Sequence, residues 1–317
     1  MGELHRFMFE GLPVRGSLVR LGDGWREMLA ARAGAPFPAP VRELLGQMAA
    51  AGVLMQSGLK FDGALILQVH GDGPVKLAVA EVRSDLRYRA TATVIGEVPP
   101  AAGLEAMLNV HGQGRCAITL DPADKRPGQQ PYQGVVPLHG DRREPLQQLS
   151  QVLEHYMLQS EQLDTRLLLA ADERHAAGLL IQRLPVDGPS RMSGERNEDQ
   201  IGLNEDFNRI AHLAATLTRD ELLTLDADTL LRRLFWEERL QRYEPRRPRF
   251  ACSCGRERVA GMLRGLGREE VDSIIAERGE VEVGCEFCGR QYRFDAIDAA
   301  TLFIPQADQP PGQGAVN

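Results

Sequence analysis

Phe250-Ala-Cys-Ser-Cys-Gly255 and Gly284-Cys-Glu-Phe-Cys-Gly289 decide how the last quarter of this chain folds. The two cysteine pairs, Cys252 with Cys254 and Cys285 with Cys288, are separated by 30 residues. Two close pairs brought together supply the four soft ligands that tetrahedral Zn²⁺ favours. Gly289 suits a tight turn whose backbone N–H groups point at thiolate sulfur. Val281 and Val283 alternate before the second pair, and Tyr292 and Phe294 after it, the pattern of flanking strands. Between the pairs, Val259, Met262, Leu263 and Leu266 mark one helix, and Val271, Ile274 and Ile275 mark a second that stops at Gly279.

No histidine lies beyond His212, so the expected site is all-thiolate. Four protein ligands leave no open position for a substrate water, which excludes a hydrolytic centre. Arg249, Arg256, Arg258, Arg290 and Arg293 are close in sequence and suited to offset the thiolate charge. A unit this small buries a modest core, so metal ligation is expected to carry stability on the order of 10 kcal/mol, and metal removal to unfold it. Cysteines one residue apart close only a small, strained disulfide of the labile, regulatory kind. The hypothesis that follows is a redox switch: oxidant converts the four thiolates to Cys252–Cys254 and Cys285–Cys288 disulfides and ejects zinc.

Working outward, the 317-residue chain has 43% apolar and 26% charged residues, the balance of a soluble globular protein. No run approaches 18 apolar residues, so no membrane span is expected, and the N-terminus lacks a secretory pattern, which makes the cytoplasm the default. The fold class expected is α+β, with an N-terminal α/β core domain over residues 1–185. Strand candidates are Ser17–Leu21, Ala64–Val69, Val75–Val82, Arg89–Ile95, Arg115–Leu120, Gly134–Leu138, Thr165–Ala171 and Ala176–Leu184. Helical spacing marks Val41–Met55 and Pro145–Ser160. Residues 186–248 read as a charged helical linker of marginal stability, with a capping box at Thr218-Arg-Asp-Glu221 and a helix from Thr229 to Tyr243 capped by Asp226. Residues 249–305 form the zinc domain, and residues 306–317 read as a disordered tail.

The segments Phe250–Arg258, Glu270-Val-Asp-Ser-Ile-Ile275 and Gly284–Phe294 closely resemble the redox-switch domain of the heat-shock protein 33 family of bacterial redox-regulated holdase chaperones. Gln130-Pro-Tyr-Gln-Gly-Val-Val136 and Ser160-Glu-Gln-Leu-Asp-Thr-Arg166 extend the resemblance over essentially the whole chain. Gly255 departs from it, standing where a serine is more usual, but it is not a ligand. The resemblance implies a protein that is inactive while reduced and zinc-bound. On oxidation it would release zinc, unfold the zinc domain and linker, expose apolar surface, dimerise and hold unfolding client proteins without ATP. No cofactor beyond zinc is implied, and the chain carries no G-x-x-x-x-G-K-[ST] loop.

Leu230, Leu231, Leu234, Phe235 and Trp236, with Leu240, make the one linker helix of notable apolar content. They are expected to dock on the core at rest and to bind clients once undocked. Cys116, in a strand-like run, reads as a buried inert thiol. The net charge of −7 argues against nucleic acid, and Pro245-Arg-Arg-Pro-Arg249 reads as a charged hinge. Two rival classes remain: a zinc-ribbon nucleic-acid module, which normally carries two Cys-x-x-Cys pairs, and a thiol oxidoreductase built on Cys285-Glu-Phe-Cys288, which works best at a helix N-terminus. Peroxide titration of the reduced protein is expected to release zinc as thiols disappear; zinc retained after complete oxidation would refute the switch.

Overall fold

A computed structural model describes residues 2–124, 130–185 and 201–304. The start of the expected linker, residues 186–200, and the expected tail, residues 306–317, lie outside the described residues. The chain divides into two compact units, Met1–Ala251 and Cys252–Asn317.

The first unit is built round one helix. α2 (Ala39–Ser57) is apolar on nearly every face, and Val41, Leu44, Leu45, Met48, Val53 and Leu54 are all buried. A helix buried all round needs cover on both sides, and two antiparallel sheets supply it. One contains β1 (Glu3–Phe9), β2 (Val14–Leu21), β8 (Thr165–Ala171), β9 (Ala176–Arg183) and β10 (Leu240–Arg242), in the order β10-β1-β2-β9-β8. The other contains β3 (Gly63–His70), β4 (Val75–Arg83), β5 (Arg87–Val94), β6 (Arg115–Pro122), β7 (Tyr132–Pro137) and β11 (Arg249–Phe250), in the order β11-β5-β4-β3-β6-β7, with β11 parallel to β5. Small residues let both sheets approach. A Cβ on Gly46 would lie 2.5 Å from the Ala171 Cβ of the first sheet, and one on Gly52 would lie 2.7 Å from Val82 Cγ2 of the second.

Every strand expected in the core is present within a residue or a few of its expected ends. Three elements were not expected: β1, α1 (Asp23–Ala30) and α3 (Leu104–Leu108). α4 (Leu149–Glu161) starts later than the apolar spacing suggested, because Gln148 and Gln151 exchange capping hydrogen bonds there.

The expected linker helices are α5 (Glu205–Ala215), α6 (Arg219–Thr224) and α7 (Ala227–Phe235). Thr218 and Glu221 form the expected capping box, and Asp226 accepts the Thr229 N–H. The helices lie within the first unit and cover the outer face of the first sheet. Phe207, Ile210, Leu222, Leu230, Leu231 and Leu234 form a second core with Phe7, Phe9, Val14, Leu18, Leu179 and Ile181 of the sheet. That apolar content exceeds the thin stripe expected. Phe235 sits edge-on to Phe9 with ring centroids 5.0 Å apart.

The helix expected to run from Thr229 to Tyr243 stops at Phe235. Beyond it the chain reverses, and Leu240, Gln241 and Arg242 pair with Phe9, Met8 and Phe7 of β1. An unpaired edge strand outbids weak helix propensity in a short polar stretch. From there Arg246 bridges to Leu4, and the Ala251 N–H donates to the Tyr88 carbonyl of β5. Residues 240–251 thus strap the edges of both sheets.

The second unit contains α8 (Arg256–Leu266), α9 (Arg268–Arg278), the hairpin β12 (Val281–Gly284) and β13 (Gln291–Phe294), and α10 (Ala296–Leu302), which was not expected. Gly279 ends α9 in the left-handed conformation (φ 82°). Among the described residues its apolar core is small: Val259, Leu263, Val271, Val281, Phe294 and Leu302 belong to a cluster of nine, while Met262 and Leu266 of the expected α8 stripe are exposed.

Phe235→Ala leaves a cavity against Phe7 and Phe9 and is expected to cost about 3–4 kcal/mol. Hydrogen exchange of the α5–α7 amides should accelerate by roughly 10²-fold while the amides of α2 stay protected; equal protection of α7 in variant and parent would contradict this packing.

Candidate metal centre

Cys252 and Cys254 follow directly on the strap, in irregular chain before α8. Cys285 and Cys288 bracket the turn between β12 and β13. That turn is closed by the Cys285 N–H donating to the Arg290 carbonyl at 2.9 Å and by the Gly289 N–H donating to the Cys285 carbonyl at 2.7 Å. Gly289 has φ 71°, the left-handed region that glycine enters without strain. The pair therefore sits in a hairpin, not at the helix N-terminus that would activate a Cys-x-x-Cys oxidoreductase.

The expected ligands converge. All four Sγ atoms lie within 4.8 Å of one another, and all four cysteines are free thiols. Cys252 Sγ lies 3.5 Å from Cys285 Sγ, and Cys254 Sγ lies 3.4 Å from Cys288 Sγ. Four sulfurs each about 2.3 Å from a tetrahedral ion stand about 3.8 Å apart. The cluster thus fits one small ion, and its soft, charged donors suit Zn²⁺ over Mg²⁺ or Ca²⁺.

The surroundings favour ionised sulfur at Cys254, while burial pushes the Cys252 and Cys288 thiols up. Burial pushes the Cys254 thiol up, but the Tyr292 hydroxyl, which donates to its Sγ at 3.1 Å, and the neighbouring thiols outweigh burial and bring it to about 7. Cys288 is the most buried of the four, and burial pushes its thiol up to about 12. The Tyr292 hydroxyl, and after it the neighbouring Cys254 and Cys288, raise the Arg290 guanidinium above its ordinary value.

The other arginines expected there are committed elsewhere. Arg258 donates to Ser253 Oγ, Arg256 pairs with Asp298 and lies over the Phe294 ring, and Arg293 pairs with Glu282. Arg249 belongs to β11 of the first unit. Sequence reading placed Tyr292 on a strand but missed its role as donor. The signal was available, since an inward-facing tyrosine needs a partner for its hydroxyl.

Of the other candidates, Cys116 is buried in β6 with its thiol pushed up to about 12 by burial, which leaves it inert. Leu230, Leu231, Leu234 and Phe235 are buried under the first sheet's outer face, whereas Trp236 is 74% exposed at the end of α7. No helix among the described residues is long and apolar enough to cross a membrane.

Comparison with known proteins gives a consistent result. The family model described as Hsp33 protein matches residues 2–295. A 33 kDa chaperonin of Chromobacterium violaceum is 44% identical over 302 residues, covering 95% of this chain and 93% of its own. A 33 kDa chaperonin of Methylobacillus flagellatus is 42% identical, covering 97% and 96%. Among solved structures, that of a 33 kDa chaperonin, a heat shock protein 33 homolog from Thermotoga maritima, superposes with a TM-score of 0.73 over 95% of this chain and 97% of that one, at 21% identity.

Because each thiol gives up its proton to become a ligand, metal affinity is expected to fall as pH falls. Between pH 8 and pH 6, competition with a chelator should show Zn²⁺ binding weakened by at least about tenfold. Affinity that is flat with pH would mean that the four sulfurs are not the ligands.

Proposed function

This chain belongs to the Hsp33 protein family, and from that premise we propose that it is a redox-regulated, ATP-independent holdase of the bacterial cytoplasm. The observation that carries the reading is the convergence of four free thiols in a unit with a nine-residue core. In the reduced state Cys252, Cys254, Cys285 and Cys288 hold one zinc ion, and the protein is inactive. When bound, zinc keeps the sulfurs ionised and ties the turn of the β12–β13 hairpin to the chain ahead of α8. Tyr292 and Arg290 hold negative charge at Cys254, the form in which sulfur attacks peroxide.

Each disulfide, Cys252–Cys254 and Cys285–Cys288, forms as a cysteine pair gives two electrons to one hydrogen peroxide. One S–S bond forms, the O–O bond breaks, and the two oxygens leave as two waters, two of the four protons coming from the peroxide and two from solvent because the thiolates carry none. The oxidised sulfurs no longer serve as thiolate ligands, and so small a core does not hold the unit folded without them.

Unfolding then reaches the strap through the peptide bond between Ala251 and Cys252. Loss of β11 and β10 loosens α7, whose docking the strap completes. The surface uncovered has two sides: Leu230, Leu231, Leu234 and Phe235 on α7, and Phe7, Phe9, Val14, Leu18, Leu179 and Ile181 on the sheet. Trp236 adjoins the helix side. Such a surface binds unfolding client proteins by apolar burial and favours a homodimer when active. No nucleic acid or membrane is part of this reading.

Light scattering from a thermally unfolding client tests it. Peroxide-treated protein is expected to suppress aggregation at near-stoichiometric ratios, and protein kept in strong reductant with zinc is not. Equal suppression by both forms would overturn the redox control, and salt-sensitive RNA or DNA binding would favour a nucleic-acid module.

A further inference from the structure

Among the described residues, β8 is the terminal strand of the first sheet opposite β10, flanked by α4, and its hydrogen-bonding pattern can be read residue by residue. The Arg183 N–H donates to the Asp164 carbonyl at 3.0 Å, and the Asp172 N–H donates to the His175 carbonyl at 2.8 Å. With Thr165 opposite Gln182 and Ala171 opposite Ala176, even-numbered residues of β8 bond to β9. Leu167, Leu169 and Ala171 therefore turn their N–H and C=O groups outward. Two side-chain contacts agree: the Leu167 N–H donates to Glu154 Oε1 at 2.7 Å, and Arg219 donates to the Ala171 carbonyl at 2.7 Å.

Glu154 thus stands where a neighbouring strand would place a carbonyl, and Arg219 where it would place an N–H. Leu169 lies between them and faces a groove of about 720 Å³ of mixed lining, where Leu44, Leu149 and Leu217 alternate with Gln47, Gln151 and Thr218. Between those two caps the Leu169 N–H and C=O face outward from the ladder, and an uncovered stretch of edge is a template for another strand. Only an extended polypeptide offers N–H and C=O groups at two-residue spacing together with apolar side chains on one face. One wall of the groove belongs to α5 and α6, and Arg219, paired with Glu43 at 3.4 Å, is itself on α6.

We propose that the open edge of β8 is a strand-addition site for an extended, apolar-rich segment of an unfolding polypeptide, fully opened when Arg219 departs with α6. The opening step rests on the activation proposed above. The edge itself is independent of it and is a second surface, separate from the face buried beneath α7.

The test uses the full-length, peroxide-oxidised protein and a fluorescein-labelled eight-residue peptide alternating valine and threonine between terminal lysines. The control is the same peptide with every amide N-methylated, which keeps the side chains and removes the donors. By fluorescence anisotropy the parent peptide is expected to bind at least ten-fold more tightly than the methylated one. Amide exchange at Leu169 and Ala171 should slow when the parent peptide binds. Leu169→Pro removes one outward N–H and no ladder bond to β9, and should abolish the ten-fold difference.

Equal binding of the two peptides overturns the proposal, whether or not Leu169→Pro folds. So does binding without slowed exchange at Leu169, and so does a concentration-dependent dimer, lost in Leu169→Pro, that excludes the peptide. Light scattering on the same samples reads activation separately. Client protection with equal peptide binding removes only the strand-addition site, whereas peptide discrimination without client protection removes only the activation.

Discussion

Four sulfur atoms drawn within 4.8 Å of one another are the constraint on which the second unit depends. Thiols converge like this only where something offsets the loss of chain entropy and the repulsion between charges. Local structure does part of the work. The β12–β13 hairpin and its Gly289 turn set Cys285 and Cys288, and the Tyr292 hydroxyl stabilises charge on Cys254. The four sulfurs are placed where an ion could supply the remainder, since an apolar cluster of nine described residues is small for three short helices and a two-stranded hairpin.

The first unit is organised on the opposite plan. α2 is enclosed by two sheets, and its glycines allow contact closer than side chains would permit. Removing any one contact leaves many others. Its conditional part is the outer layer, α5 to α7, which covers Phe7, Phe9 and Ile181 and is held at the far end by the strap of β10 and β11. Arg20 adds a polar clasp by donating to the carbonyls of Leu223 and Leu225 at the end of α6. The durable layer and the conditional layer share one sheet. Loss of the outer layer would therefore expose a preformed apolar face without unfolding what lies beneath.

The same sheet explains why β8 is chemically distinct from the other edges. β1 has its edge covered by β10, and β5 has its edge covered by β11. At β8 the covering is done by side chains, Glu154 and Arg219, one of them carried on a helix of the conditional layer. Side-chain caps satisfy the backbone while leaving the edge geometrically ready for a strand.

The convergence of the four cysteines was legible from residue type and spacing alone. Thiolate affinity is local, so Cys252, Cys254, Cys285 and Cys288 announced their convergence before any fold was known. The same holds for Gly279 and Gly289 as stops and turns, for the caps at Thr218 and Asp226, and for the alternating core strands, since each depends on near neighbours in the chain. What tertiary structure alone decided was where non-local partners lie. Residues 240–242 form a strand because β1 has a free edge, Trp236 is exposed while Phe235 is buried, and Arg256 and Arg293 are paired with Asp298 and Glu282. In each case the competing local preferences differ by a fraction of a kcal/mol, and a contact made across the fold settles the choice.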